Sequence, residues 1–242
     1  MPSFTLRQGV SVRGITSKTL GAFEAAAARI VGAQDRPDEV GALDALHMAI
    51  DKANETNWEW NLSDGFATTV AATAGYDLPS TTKTVMSVRV TTGNERRLQP
   101  VRTDIYDRFV ADQSAYGMPM YYSLFHQGSL RRLKVYPTPD TVNSGETLHI
   151  KVYTDLPKPT DSSQIPAWPS FLDRFIVLEA QTLVGMWRGM RSEKLQPLMV
   201  LAEDALRGAR MRDRSWHDED VGIVMEAESA ARWPWNHPMR SE

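Results

Sequence analysis

The chain has 242 residues, 42% of them hydrophobic and 24% charged, which is ordinary globular composition with enough length to bury a full core in one or two domains. Its 27 basic and 30 acidic residues leave a net charge of −3, which argues against a protein built to grip nucleic acid through many phosphate contacts. Absence of cysteine removes disulfides, thiolate metal sites and cysteine nucleophiles together, and no apolar run approaches the length of a membrane span.

Met1 to Ser17 mixes polar and β-prone residues with no sustained period and lacks a secretory apolar core, so it reads as an irregular arm on a protein made in the cytoplasm. Leu20, Phe23, Ala27, Ile30 and Val31 then recur at helical spacing and predict a first helix ending near Gly32. Pro37 and Asp38 open a second helix, striped by Val40, Leu43, Leu46, His47, Ile50, Ala53 and Asn54 and running to about Trp58. His47 is read as a core or interface residue, and Trp58 and Trp60 as plugs beneath the turn that closes the helix.

From residue 63 to 161 the pattern changes to β-prone runs broken by proline and glycine. Val85, Val88 and Val90 turn through Thr92-Gly93-Asn94-Glu95 to Leu98 and Val101, and a short helix opens at Thr103. Further strands are predicted at 120–126, 132–136 and 147–153. In the last, Leu148, Ile150 and Val152 alternate with a solvent-facing His149. Leu156 to Pro169, with Pro157, Pro159 and Pro166, reads as an extended linker.

Ser170 is placed to cap a helix striped by Phe171, Leu172, Phe175, Ile176, Leu183, Met186 and Trp187, with Arg188, Arg191 and Lys194 at its C-terminal end. A partner helix is predicted from about Leu195 to Met211, forming a hairpin with it. After Arg212 mixed charge and isolated tryptophans predict a tail that orders only on contact, and chain ending there should still fold.

The fold class is therefore α+β: a helical body from residues 1–62 and 162–212, an inserted antiparallel β-sandwich or barrel-like domain at 63–161, and an extended tail at 213–242. Common enzyme signatures are absent. His217-Asp218-Glu219-Asp220 reads as a solvated charge run rather than a metal site, and Arg96-Arg97 and Arg131-Arg132 as ordinary hairpin surface. Tyr76, Leu78, Pro79, Pro119, Tyr122, Tyr136, Pro137 and Pro139 are read as structural, rings covering proline and glycine turns. The rival readings are a carbohydrate-binding sandwich with Tyr121, Tyr122 and Tyr136 as an exposed platform, and a hydrolase with no recognisable motif, which an activity screen after mutating His126 or His149 would test.

Taken in order, Trp58-x-Trp60, Tyr76-Asp77-Leu78-Pro79, Leu98-x-Pro100, Tyr106, Gly117-x-Pro119-x-Tyr121-Tyr122, Leu133-x-Val135-Tyr136-Pro137-Thr138-Pro139 and Ile165-Pro166 form a pattern spanning about Val40 to Met211. In this pattern the chain resembles the head-to-tail adaptor (connector) proteins of tailed bacteriophages. It is similar to their long form with an inserted β-domain, as in the tail tubular adaptor of short-tailed phages. The resemblance implies a non-enzymatic structural protein of the virion head–tail junction, made in the host cytoplasm, with no cofactor, metal or membrane. It implies a ring, commonly of twelve subunits, beneath the portal protein and above a downstream tail, stopper or nozzle protein. Double-stranded DNA would pass through without specific binding, which suits a mildly acidic chain. Connector rings commonly fasten to the portal through a terminal segment, so Trp216, Trp233 and Trp235 become candidate portal-binding residues.

Overall fold

The computed structural model describes residues 5–7, 15–92, 94–112, 115–127 and 130–232. The chain is α+β; the described residues form two open sheets and no closed barrel, so the barrel-like alternative is set aside.

The first sheet orders β1 (Thr5–Arg7), β2 (Leu62–Thr68), β9 (Thr147–Thr154), β4 (Thr82–Thr92) and β5 (Asn94–Arg97). The second orders β3 (Gly75–Leu78), β8 (Leu130–Tyr136), β7 (Tyr121–Gln127) and β6 (Gln99–Pro100). Alternation decides what lies between them: Val88, Val90, Leu148, Ile150 and Val152 from one sheet meet Tyr76, Leu78, Tyr122, Leu133 and Val135 from the other. Two features depart from the sequence reading. Thr5–Arg7, expected to be irregular, forms an antiparallel edge strand against Asp64–Phe66, because β2 offers an unpaired backbone edge. Gln99–Pro100, which follows the β4–β5 hairpin, crosses to the second sheet and pairs in parallel with Tyr121–Tyr122.

The helical core gathers α1 (Leu20–Ala28), α2 (Ala42–Ala53), α4 (Asp173–Trp187) and α5 (Ser192–Arg232). The second helix is shorter than its apolar stripe suggests. Pro37–Val40 forms a separate 3-10 turn that stops at Gly41, whose φ of +68° is a left-handed conformation few other residues accept. At the other end α2 stops at Ala53, and Trp58 folds back so that its Nε1 donates to Ala53 O at 2.9 Å. α4 begins at Asp173 after a 3-10 turn over Ser170–Leu172, and Ser170 makes no side-chain cap bond there. α4 packs against α2 and against α5, and so lies between them. Its close approach to α5 needs Gly185: a Cβ there would sit 2.6 Å from Leu195 Cδ2.

Leu156 to Pro169 has no regular structure, yet it is no free linker. Leu156, Pro159, Pro166, Trp168 and Pro169 are buried, and Leu20 N and Gly21 N donate to Gln164 O and Ser162 O at 2.8 Å. The segment is a strap across the helical core. α5 also runs past the predicted stop near Met211, continuing as helix to Arg232.

Candidate functional site

The residues that could have carried chemistry are tied into the scaffold. His47 Nε2 lies 2.8 Å from Pro159 O, on the strap. His149 packs edge-on against Phe66, with centroids 4.7 Å apart. His126 touches Arg131, and desolvation followed by that guanidinium pushes its pKa down. Among the described residues no three His, Asp or Glu side chains gather where they could hold one metal ion. No helix of the described chain is long and apolar enough to cross a membrane. The basic dipeptides are held in the same way: Arg132 Nε pairs with Asp77 Oδ1 at 2.6 Å, Arg131 Nε donates to Thr82 O, and Arg96 Nη1 reaches Met118 Sδ.

The tyrosines proposed for a carbohydrate platform separate. Tyr122 is buried between the sheets. Tyr121 and Tyr136, opposite each other in register, share the outer face of the second sheet and lie beneath α3 (Thr103–Asp112). Phe109 of α3 stacks on Tyr136 at 5.5 Å and tilts against Tyr121 at 5.4 Å. Tyr106 inserts between Phe125 and Tyr136, and its hydroxyl donates to Val135 O at 3.1 Å. Nearby, Lys134 Nζ sits 4.1 Å above the Phe125 ring. Of the remaining motif residues, Tyr76 is buried with its hydroxyl donating to Thr73 O across the turn that precedes it. Leu78, Pro119 and Pro139 are buried, Pro79 and Pro137 half-buried, and the Tyr136–Pro137 bond is cis.

Burial raises the Tyr106 phenol to about 12, desolvation first and then the charges of Asp107 and Tyr136. An unfolded tyrosine ionises near 10.0, so this contribution is complete below pH 10 and disappears as pH rises through about 12. The loss should amount to about 2–3 kcal/mol. Melting curves at pH 9 to 12 check it: Tyr106→Phe should lose less stability across that window than wild type, although Tyr76, Tyr122 and Tyr153 shift in the same direction. Superimposable alkaline profiles would remove Tyr106 as the cause.

What the surface does offer is unpartnered apolar area on the helices. At the α4–α5 turn Met186 and Trp187 are exposed, and Met186, Met190, Leu195 and Met199 line one open cleft. The turn is anchored from behind: Arg188 Nη2 donates to Glu39 O, and one edge of the Trp187 ring lies over Gly41, close enough that a Cβ there would just touch it at 3.4 Å. These large apolar groups stand about half in water on the outer side of the helical pair.

Asp213 is a buried structural residue that composition gave no sign of. On α5, and buried, it accepts from Glu59 N at 2.8 Å and Trp60 N at 3.1 Å. Beside it Arg210 donates to Thr56 Oγ1, and the Tyr153 hydroxyl of β9 donates to Glu59 Oε1 at 2.7 Å. α5 therefore clamps the crossing between the helices and the first sheet. Of the candidate portal-binding residues, Trp216 lies on the helical run of α5, whereas Trp233 and Trp235 lie outside the described residues.

A protein-family model described as SU10 adaptor protein matches residues 18–225, most of the chain. No curated protein matches it.

Proposed function

From a chain that belongs to the SU10 adaptor protein family, we infer a structural head-to-tail adaptor of a tailed bacteriophage, without catalytic activity. The family match over residues 18–225 is the observation that carries this reading. In its full form the proposal is a ring of subunits, twelve by resemblance, at the head–tail junction of the virion. It is the long form with an inserted β-domain, similar to the adaptor of short-tailed phages. The portal protein lies above it, a tail, stopper or nozzle protein below, and double-stranded DNA passes through without specific binding.

Residues 1–62 and 162–212 supply the ring-forming helices, and 63–161 is the inserted module, its ends brought together by the antiparallel pairing of Leu62 with Tyr153. Exposed Met186, Trp187 and Met199 support assembly, since an isolated subunit leaves them in water. Trp216, Trp233 and Trp235 are the proposed portal contacts. The carbohydrate-binding alternative loses ground because α3 covers Tyr121 and Tyr136 and the sheets enclose Tyr122.

Negative-stain images of the purified chain, alone and with portal rings, test the reading. Rings of uniform diameter with one lobe per subunit are expected, the lobes vanishing when 63–161 is replaced by a short linker. A chain that stays monomeric in both conditions overturns it.

A further inference from the structure

α2 has two unlike faces. Ala42, Ala45, Leu46, Ala49, Ile50 and Ala53 are buried against the helical core. On the other side Asp44, Met48 and Asp51 recur at spacings of four and three, so they form one stripe, and all are exposed. Met48 is 48% exposed at the centre of it, and Lys158 pairs with Asp51 at the edge.

α5 carries the counterpart. Its inner side is Leu195, Ala202, Leu206, Ala209 and Asp213. Its outer side presents Arg207, Met211 and Arg214 at spacings of four and three, all exposed, with Met211 at 68%. Asp204 sits 3.6 Å from Arg207 but leaves Arg214 to keep this face basic.

The two stripes match in length, about 10 Å over seven residues at helical rise. Each places a flexible methionine between charges of one sign, and the signs are opposite. α4 lies between the two helices and both methionines are exposed, so neither stripe covers the other within one chain. A charged stripe alone is a solvated face. Two complementary ones on a single chain are what a second copy needs. Exposed ion pairs add little affinity but set register, while the methionines supply apolar area that adapts to its partner.

We propose that the outer face of α2, Asp44–Met48–Asp51, docks on the outer face of α5, Arg207–Met211–Arg214, of the next copy of this chain. The proposal rests on the ring reading and names the surfaces that close it. Such a contact joins two different faces and is therefore heterologous, the type that generates a ring when the rotation closes.

The absence of cysteine makes introduced thiols unambiguous reporters. Met48→Cys and Met211→Cys alter exposed positions outside the core, and each is followed under mild oxidation in the full chain, with and without portal rings. An equimolar mixture of the two single variants should give a disulfide-linked dimer joining 48 to 211. Each variant alone should give none, and M48C/M211C together should give a ladder. Separately, Asp44→Lys with Asp51→Lys should raise the concentration for half-assembly about tenfold or more, with recovery when mixed with Arg207→Glu/Arg214→Glu chains. Crosslinking of single variants with themselves would overturn the pairing. So would absence of the mixed crosslink in a chain that still sediments as a large assembly, which leaves the ring reading intact. A chain that never assembles overturns both.

Discussion

Replacing Trp168 by alanine is expected to cost about 3–5 kcal/mol, the range for emptying a fully enclosed aromatic site. The side chain is 0% exposed and meets Phe23 of α1 edge-on at 5.4 Å. Its Nε1 donates to Asp173 Oδ1 at 3.1 Å, while Thr16 Oγ1 donates to Asp173 Oδ2 at 3.0 Å. Asp173 opens α4, where a carboxylate also meets the positive end of the helix. Thr16 N in turn donates to Trp168 O at 3.0 Å, so one indole joins the N-terminal segment, the strap, α1 and α4. Trp168→Phe keeps a ring but leaves the Asp173 oxygen short of a donor, and should cost about 1–3 kcal/mol. Chemical denaturation of both variants measures this. A change under about 1 kcal/mol for Trp168→Ala would mean that the strap does not hold the helical core together.

Ending the chain after Arg212 should destabilise it, whereas ending it after Arg214 should not. The first cut removes Asp213 and leaves the amides of Glu59 and Trp60 without their carboxylate, a loss of about 2–4 kcal/mol for two partly buried donors. The second cut keeps the clamp. This corrects the expectation that the chain folds undisturbed when cut at Arg212, because Asp213 belongs to the packed body. Both truncations lack Trp216, Trp233 and Trp235 and, on the proposed portal docking, should fail to co-sediment with portal rings. Ordering a terminal segment costs conformational entropy, and several buried tryptophans per subunit offset it when repeated around a ring. Equal melting temperatures for the two truncations would discount the clamp. Undiminished portal binding by the longer truncation would discount the docking.

Elements whose signal is local were legible in the residues themselves. The stripes through Leu20, Phe23 and Ala27, through Leu46, Ile50 and Ala53, and through Phe175, Ile176 and Leu183 all face the helical core. Leu148, Ile150 and Val152 alternate into the sandwich. In each case burial is periodic along a single element, so spacing alone reports it. The ordered motifs that suggested an adaptor were legible too, and the family match spans the same stretch.

Tertiary structure decided the rest. A proline-rich segment has the same composition whether it hangs free or straps a core, and only the cavity beside Phe23 and Asp173 makes Trp168 an anchor. Likewise an aspartate in a charged helix looks solvated until amides more than 150 residues away point at it, as those of Glu59 and Trp60 do at Asp213. Tyr121 and Tyr136 form an open platform or a covered one according to whether Phe109 lies over them, which depends on where α3 returns across the sheet. Periodicity records which face of an element is apolar, but the identity of its neighbour is set by chain closure over long separations, and no local pattern carries that.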